Sequence, residues 1–128
     1  KKKSLKLTLP TKQPHKIRVH FDDLEEANNK AQELLSYNGQ LFTGYAVLGY
    51  HPNGNVESEE EFRNGITMGW VNQYHFNGHL RRETLCYLSN QNSISFNKYN
   101  EYGIKIDSYI FLSKEKYEEI ITKYNLLE

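Results

Sequence analysis

The chain has 128 residues, 38% of them apolar, with sixteen basic and sixteen acidic side chains that cancel. That length holds one domain with a single moderate core, the mean hydropathy of -0.78 excludes a membrane-spanning helix, and the zero net charge removes the general attraction that brings basic proteins to nucleic acid. The single cysteine and the lack of a targeting segment predict a soluble protein in a reducing, cytoplasmic compartment, while ten Tyr, six Phe and one Trp suit half-buried strands or a recognition surface.

In chain order, Ser4 to Leu9 and Lys16 to Phe21 read as strands, the second from its apolar–polar alternation, with Pro10 and Pro14 bracketing the loop between them. Asp22 or Asp23 is placed to cap a helix running through Leu35. Its first turn is acidic, and Leu24, Ala27, Ala31, Leu34 and Leu35 form a stripe that packs on a sheet. Asn-Gly pairs follow at Asn38-Gly39, Asn53-Gly54, Asn64-Gly65 and Asn77-Gly78, and Asn90-Gln91-Asn92 and Tyr102-Gly103 continue the series. Asn tolerates and Gly adopts the positive φ of a two-residue hairpin turn, so each pair predicts a reversal. The intervening segments read as strands near 42–50, 55–62, 67–76, 79–88, 93–98 and 103–111. Ser113 caps a last helix over 114–123, with Tyr117, Ile120, Ile121 and Tyr124 on one side.

The result is an α+β fold in one domain: an antiparallel β-meander of hairpins with short N- and C-terminal helices packed on the sheet. Residues 1–40 supply strands and a helix, 41–111 the hairpins and 112–128 the last helix. The meander repeats itself. Tyr50-His51-Pro52-Asn53-Gly54 recurs as Tyr74-His75-Phe76-Asn77-Gly78, the two blocks lead to Glu59 and Glu83, and a weaker copy runs from Tyr99 to Gly103. The stretches "LFTGYA", "YHPNG", "FRNG", "GW" and "YHFNG" together resemble MORN-type repeats, in the variant found in bacterial antitoxin and immunity proteins. The resemblance implies a non-enzymatic protein that neutralises a cognate toxin domain, such as a nuclease, by binding over its active site. MORN repeats elsewhere serve as protein or lipid scaffolds, which is the alternative.

If the Asn-Gly loops are two residues long, paired positions sum to a constant and the faces can be read off. Glu57, Glu59 and Glu61 then share a face with Leu48, Met68, Trp70, Asn72, Tyr74, Phe76, Arg81, Glu83, Leu85 and Tyr87, with Glu59 opposite Trp70. The other face collects Tyr45, Val47, Val56, Phe62, Val71, Leu80 and Cys86. Burying three unpaired carboxylates is costly, so the Glu57 face is expected to meet solvent. Its expected partner-binding residues are Glu57, Glu59, Glu61, Trp70, Asn72, Tyr74, Arg81, Glu83 and Tyr87, the acids standing in for phosphates in a basic toxin groove and the aromatics anchoring.

No metal, cofactor or catalytic set is expected. The five histidines show no zinc spacing, and His51 and His75 are equivalent through the repeat. Cys86 reads as a small buried residue on a strand, and the glycines follow Asn in turns and do not open helices. Arg81, Arg82, Lys98 and Lys105 lie among acids, which counts against nucleic acid, and Lys1 to Lys3 is too short a cluster for a membrane surface.

Overall fold

The computed structural model describes residues 13–27 and 33–128, so the expected strand Ser4 to Leu9 lies outside the described residues. The strands are β1 (Arg18–His20), β2 (Glu25–Ala27), β3 (Leu34–Tyr37), β4 (Gln40–Leu41), β5 (Gly44–Tyr50), β6 (Val56–Arg63), β7 (Ile66–Tyr74), β8 (Leu80–Cys86), β9 (Ser93–Tyr99) and β10 (Lys105–Ile110), followed by helix α1 (Lys114–Lys123). A seven-stranded mixed sheet has the order β1-β5-β6-β7-β8-β9-β10, and β2-β3-β4 form a second, three-stranded sheet. From β5 onward each strand is antiparallel to the one before it, whereas β1 lies parallel to β5 at one edge.

Over the described part of the span, 22–27 and 33–35, the predicted helix from Asp22 to Leu35 is replaced by a 3-10 turn and strand. Phe21–Asp23 make one 3-10 turn capped by His20, whose ring accepts from the Asp22 N–H, and Leu24 is already extended. Beyond it, Asn38 and Gly39 both take positive φ, at 52° and 83°. This is the type I′ geometry that closes a tight hairpin, and it draws Leu34–Tyr37 into β3 against β4. Of the expected stripe, Ala31 lies outside the described residues. Leu24 and Leu35 pack from the small sheet onto Phe42, Ala46 and Phe62, a core cluster on one face of the large sheet.

The C-terminal helix forms where expected, with the Ser113 hydroxyl accepting the Lys116 N–H at 3.1 Å. It lays Ile120, Tyr117, Ile121 and Tyr124 on the opposite face of the large sheet, over Tyr45, Trp70, Leu85 and Ile94, with Leu126 completing the cluster. Arg63 anchors its end. The guanidinium donates to the Tyr124, Asn125 and Leu126 carbonyls at 3.1, 2.7 and 3.0 Å, satisfying oxygens that a helix C-terminus leaves without partners.

Two departures from ideal register decide which side chains pair. At Asn53-Gly54 only the glycine has positive φ, and His51 closes a three-residue loop on the Asn55 carbonyl at 2.7 Å. The extra residue shifts β5 by one, so Tyr45 pairs with Glu61 and Val47 with Glu59. Tyr45 and Val47 therefore lie on the glutamate face, not opposite it. In β7 an irregularity centred on Gly69 (φ 108°) carries the register past the expected pairing, so Glu59 faces Asn72 instead of Trp70. The Glu61 carboxylate fills the space beside Gly69 where a Cβ would stand and accepts the Trp70 N–H at 3.0 Å.

Replacing Gly69 with Ala meets both the positive φ and the Glu61 carboxylate. The expected loss is about 2 kcal/mol or more, read as a lower urea midpoint at constant m. A change within about 0.5 kcal/mol would mean that the carboxylate does not occupy this bulge.

Candidate functional site

The glutamate face contains a row of interior carboxylates. Glu59, Glu61 and Glu83 are 0%, 1% and 2% exposed, and each has a converging set of donors, as buried ions require. Arg18 donates to Glu59 through Nε and Nη2 at 2.7 and 2.9 Å. The Tyr74 hydroxyl and Asn72 Nδ2 reach the same carboxylate at 2.6 and 2.9 Å. Glu61 receives Lys16 Nζ at 2.5 Å and Arg63 Nε at 2.9 Å. Glu83 receives the Tyr99 hydroxyl, Asn97 Nδ2 and Gln13 Nε2 at 2.6, 3.0 and 2.9 Å.

Sequence repetition becomes geometric repetition here. Glu59 with Tyr74 and Asn72 has the same construction as Glu83 with Tyr99 and Asn97, one repeat further along. The turns repeat it at the sheet end: His51 Nε2 donates to the Tyr74 carbonyl and His75 Nε2 to the Tyr99 carbonyl, at 3.0 and 2.9 Å. Asn53 and Asn77 likewise donate to the Phe76 and Glu101 carbonyls, at 2.8 and 2.9 Å. In the third turn Asn100 and Tyr102 stand where the earlier turns have His and Asn, the Asn100 Oδ1 accepts from the Tyr102 and Ile104 N–H groups, and β10 is the last strand of the sheet.

The expectation that this face meets solvent is therefore corrected. Trp70, Tyr74 and Asn72 are buried with Glu59, Glu61 and Glu83, and Tyr87 is half-buried against Tyr124 of the helix region. Only Glu57 and Arg81 of the nine expected contact residues are exposed. The N-terminal segment supplies the cover that sequence reasoning missed: Gln13, Lys16 and Arg18 reach across the face, and the Tyr45 hydroxyl lies 3.0 Å from Gln13 Oε1 and 3.1 Å from the Pro14 carbonyl. A signal was present. Lys16 and Arg18 alternate with the same two-residue period as Glu59 and Glu61, so a cationic strand segment and an acidic strand were available to pair.

The largest exposed apolar side chains in the second half of the chain gather around the last hairpin. Tyr102, Ile104, Ile106, Tyr109, Ile110 and Phe111 are 47 to 74% exposed, and all six residues of β10 are exposed along the sheet's free edge. On the face away from α1, Tyr109, Phe111 and Phe96 stack in sequence, and the Arg82 guanidinium lies 4.1 Å from the Phe96 ring centre.

Among the described residues no group of three or more His, Cys, Asp and Glu is arranged to hold a metal ion, and no helix is long and apolar enough to cross a membrane. Cys86 is buried, and burial pushes its thiol above the ordinary range. Comparisons of the chain with family models, curated proteins and solved structures find no match. The described residues define a mostly β protein with a mixed sheet, one helix and a row of carboxylates buried on one sheet face.

Burial, and then the charge and hydrogen bond of Glu59, raise the Tyr74 pKa well above the ordinary value. Burial and the charges of Glu61 and Glu59 do the same at Tyr45. Around Arg18 burial works against the charged form, but the bonds to Glu59 and its charge outweigh it and hold the cation. A tyrosine whose folded pKa is raised stabilises the fold fully below the unfolded value near 10, and that stabilisation is lost as pH climbs toward the folded value. Unfolding free energy should accordingly fall with alkaline pH. Tyr74→Phe should make that fall shallower by about 1.4 kcal/mol per pH unit. Chemical denaturation of both proteins from neutral to strongly alkaline pH measures it, and identical slopes would contradict the burial of this hydroxyl beside Glu59.

Proposed function

We propose that the chain is a non-enzymatic binding protein of the immunity class, which neutralises a cognate bacterial toxin domain by direct contact. The repeat resemblance supplies the class, and one observation supports the contact: the concentration of exposed Ile, Tyr and Phe on the last hairpin, from Tyr102 to Phe111. Contiguous exposed apolar groups of this kind mark interaction surfaces, and aromatic anchors carry much of the energy of protein interfaces. The hairpin ladder below them acts as a rigid base. Its carboxylates hold the base together from inside, while Glu57 and Arg81 remain on the surface.

This differs from a phosphate-mimicking acid row. With Glu59 and Glu61 engaged by Arg18, Lys16 and Arg63, the contact moves to the sheet end that carries β10. Edge backbone and apolar side chains together can accept an extended segment of a partner, as many peptide-recognition surfaces do.

Co-expression with the toxin-like region encoded immediately upstream tests the reading, scoring growth and co-purification. Rescue with a stable complex is the expected result. Ile106→Asp combined with Tyr109→Ser should weaken that complex by about tenfold or more while leaving stability within about 0.5 kcal/mol, since both side chains are exposed. Unrelieved toxicity would sink the reading, and flotation of the chain with anionic liposomes would favour a lipid scaffold instead.

A further inference from the structure

Of the three carboxylates buried on the glutamate face, Glu59 and Glu61 are paired with cations, and Glu83 has none among the described residues. Glu83 repeats the Glu59 arrangement with tyrosine and asparagine donors, but at the place where Glu59 has Arg18 it has the neutral Gln13. Among the described residues no Lys, Arg or His lies within ion-pair distance of it. The donors that reach this carboxylate, only 2% exposed, are the neutral Gln13, Asn97 and Tyr99 side chains, whereas a buried carboxylate is ordinarily matched by a cation.

Glu83 also lines a cleft of about 560 Å³ between the β9–β10 hairpin and α1, with Trp70, Asn97, Lys105, Ser108 and Tyr117 among the other lining residues. That volume lies within the range of sites that hold small ligands or inserted side chains. A second group in the same wall is Trp70, 4% exposed, whose buried Nε1–H has no acceptor among the described residues. Among the described residues, a carboxylate without an ion-pair partner and a donor without an acceptor thus line one cavity, with Lys105 also in its wall. Tyr109 and Ile110 of β10, both exposed, are also in its lining.

We propose that this cleft receives an arginine or lysine side chain from a partner protein, the cation taking beside Glu83 the place that Arg18 holds beside Glu59. A main-chain carbonyl of the same segment supplies the acceptor that Trp70 lacks. The aromatic wall of Trp70 and Tyr117 suits the flat apolar face of a guanidinium. Lys105, exposed on the lining, has the same sign as the incoming group and disfavours it. The inference rests on the binding-protein reading and specifies the partner's chemistry.

The chain contains one tryptophan, so its fluorescence and its indole N–H resonance report from the cleft alone. The probe is acetyl-Gly-Arg-Gly-amide, with acetyl-Gly-Gln-Gly-amide as the neutral control. The arginine peptide should shift both signals saturably in the millimolar range expected of a single inserted side chain, and the glutamine peptide should not. Glu83→Gln should weaken the arginine peptide about tenfold or more. Lys105→Ala, which removes only an exposed side chain, should tighten it severalfold, and this variant keeps the test decisive if Glu83→Gln fails to fold. Equal response to both peptides, no saturable response, or weaker binding by Lys105→Ala would overturn the proposal. A toxin complex that forms while the peptide titration is silent removes this site and leaves the immunity reading standing; a saturable titration without a toxin complex does the reverse.

Discussion

Everything in this fold defers to the cost of placing carboxylates inside a sheet. An ion removed from water loses several kcal/mol of solvation unless donors converge on it, and β6 buries Glu59 and Glu61 while β8 buries Glu83. The donors come from distant parts of the chain: Gln13, Lys16 and Arg18 from the N-terminal segment, Arg63 from the end of β6, and Tyr74, Asn72, Asn97 and Tyr99 from neighbouring strands. This requirement accounts for the one parallel pairing in an otherwise antiparallel sheet. With β1 beside β5, Arg18 pairs in register with Tyr45, which itself pairs with Glu61, and its guanidinium reaches Glu59. The same requirement ties the helix to the sheet, because Arg63 serves Glu61 with Nε and the end of α1 with its other two nitrogens.

Repetition makes the arrangement extendable, and the loss of repetition ends it. Each Glu accepts a tyrosine hydroxyl and an asparagine amide from the following unit, and each turn passes a histidine and an asparagine donor to the following carbonyls. At the third unit Asn100 and Tyr102 replace the histidine and asparagine donors, and Ser108 stands in register where the earlier units place glutamate. The sheet edge left there carries exposed apolar and aromatic groups.

Much of this order was legible in the residues. The six strands of the hairpin series lie within about two residues of the positions that the Asn-Gly spacing indicates, and Ser113 marks the helix start. The facing pattern was not legible, because it turns on a single residue. Pro52-Asn53-Gly54 is a three-residue loop, and two- and three-residue loops both use Asn-Gly. Gly69 adds a second offset that periodicity cannot reveal, since only the Glu61 carboxylate seated in the bulge explains it. The helix expected after Asp22 had a sound cap and stripe, but the Asn38-Gly39 hairpin won the contest for Leu34 and Leu35. Burial of the acids followed from the same gap. Carboxylates look solvent-bound until the cations of β1 and the segment before it are placed opposite them.

A double-mutant cycle on Arg18 and Glu59 tests the central claim most directly. Stabilities of the parent chain, Arg18→Met, Glu59→Gln and the combined variant give the coupling between the two side chains. Because Glu59 is fully buried and Arg18 is 39% exposed, the expected coupling is about 1 to 3 kcal/mol, with the combined variant less destabilised than the sum of the singles. Additive effects with a coupling near zero would show that Glu59 is a solvated surface charge, and the buried acidic ladder would have to be abandoned.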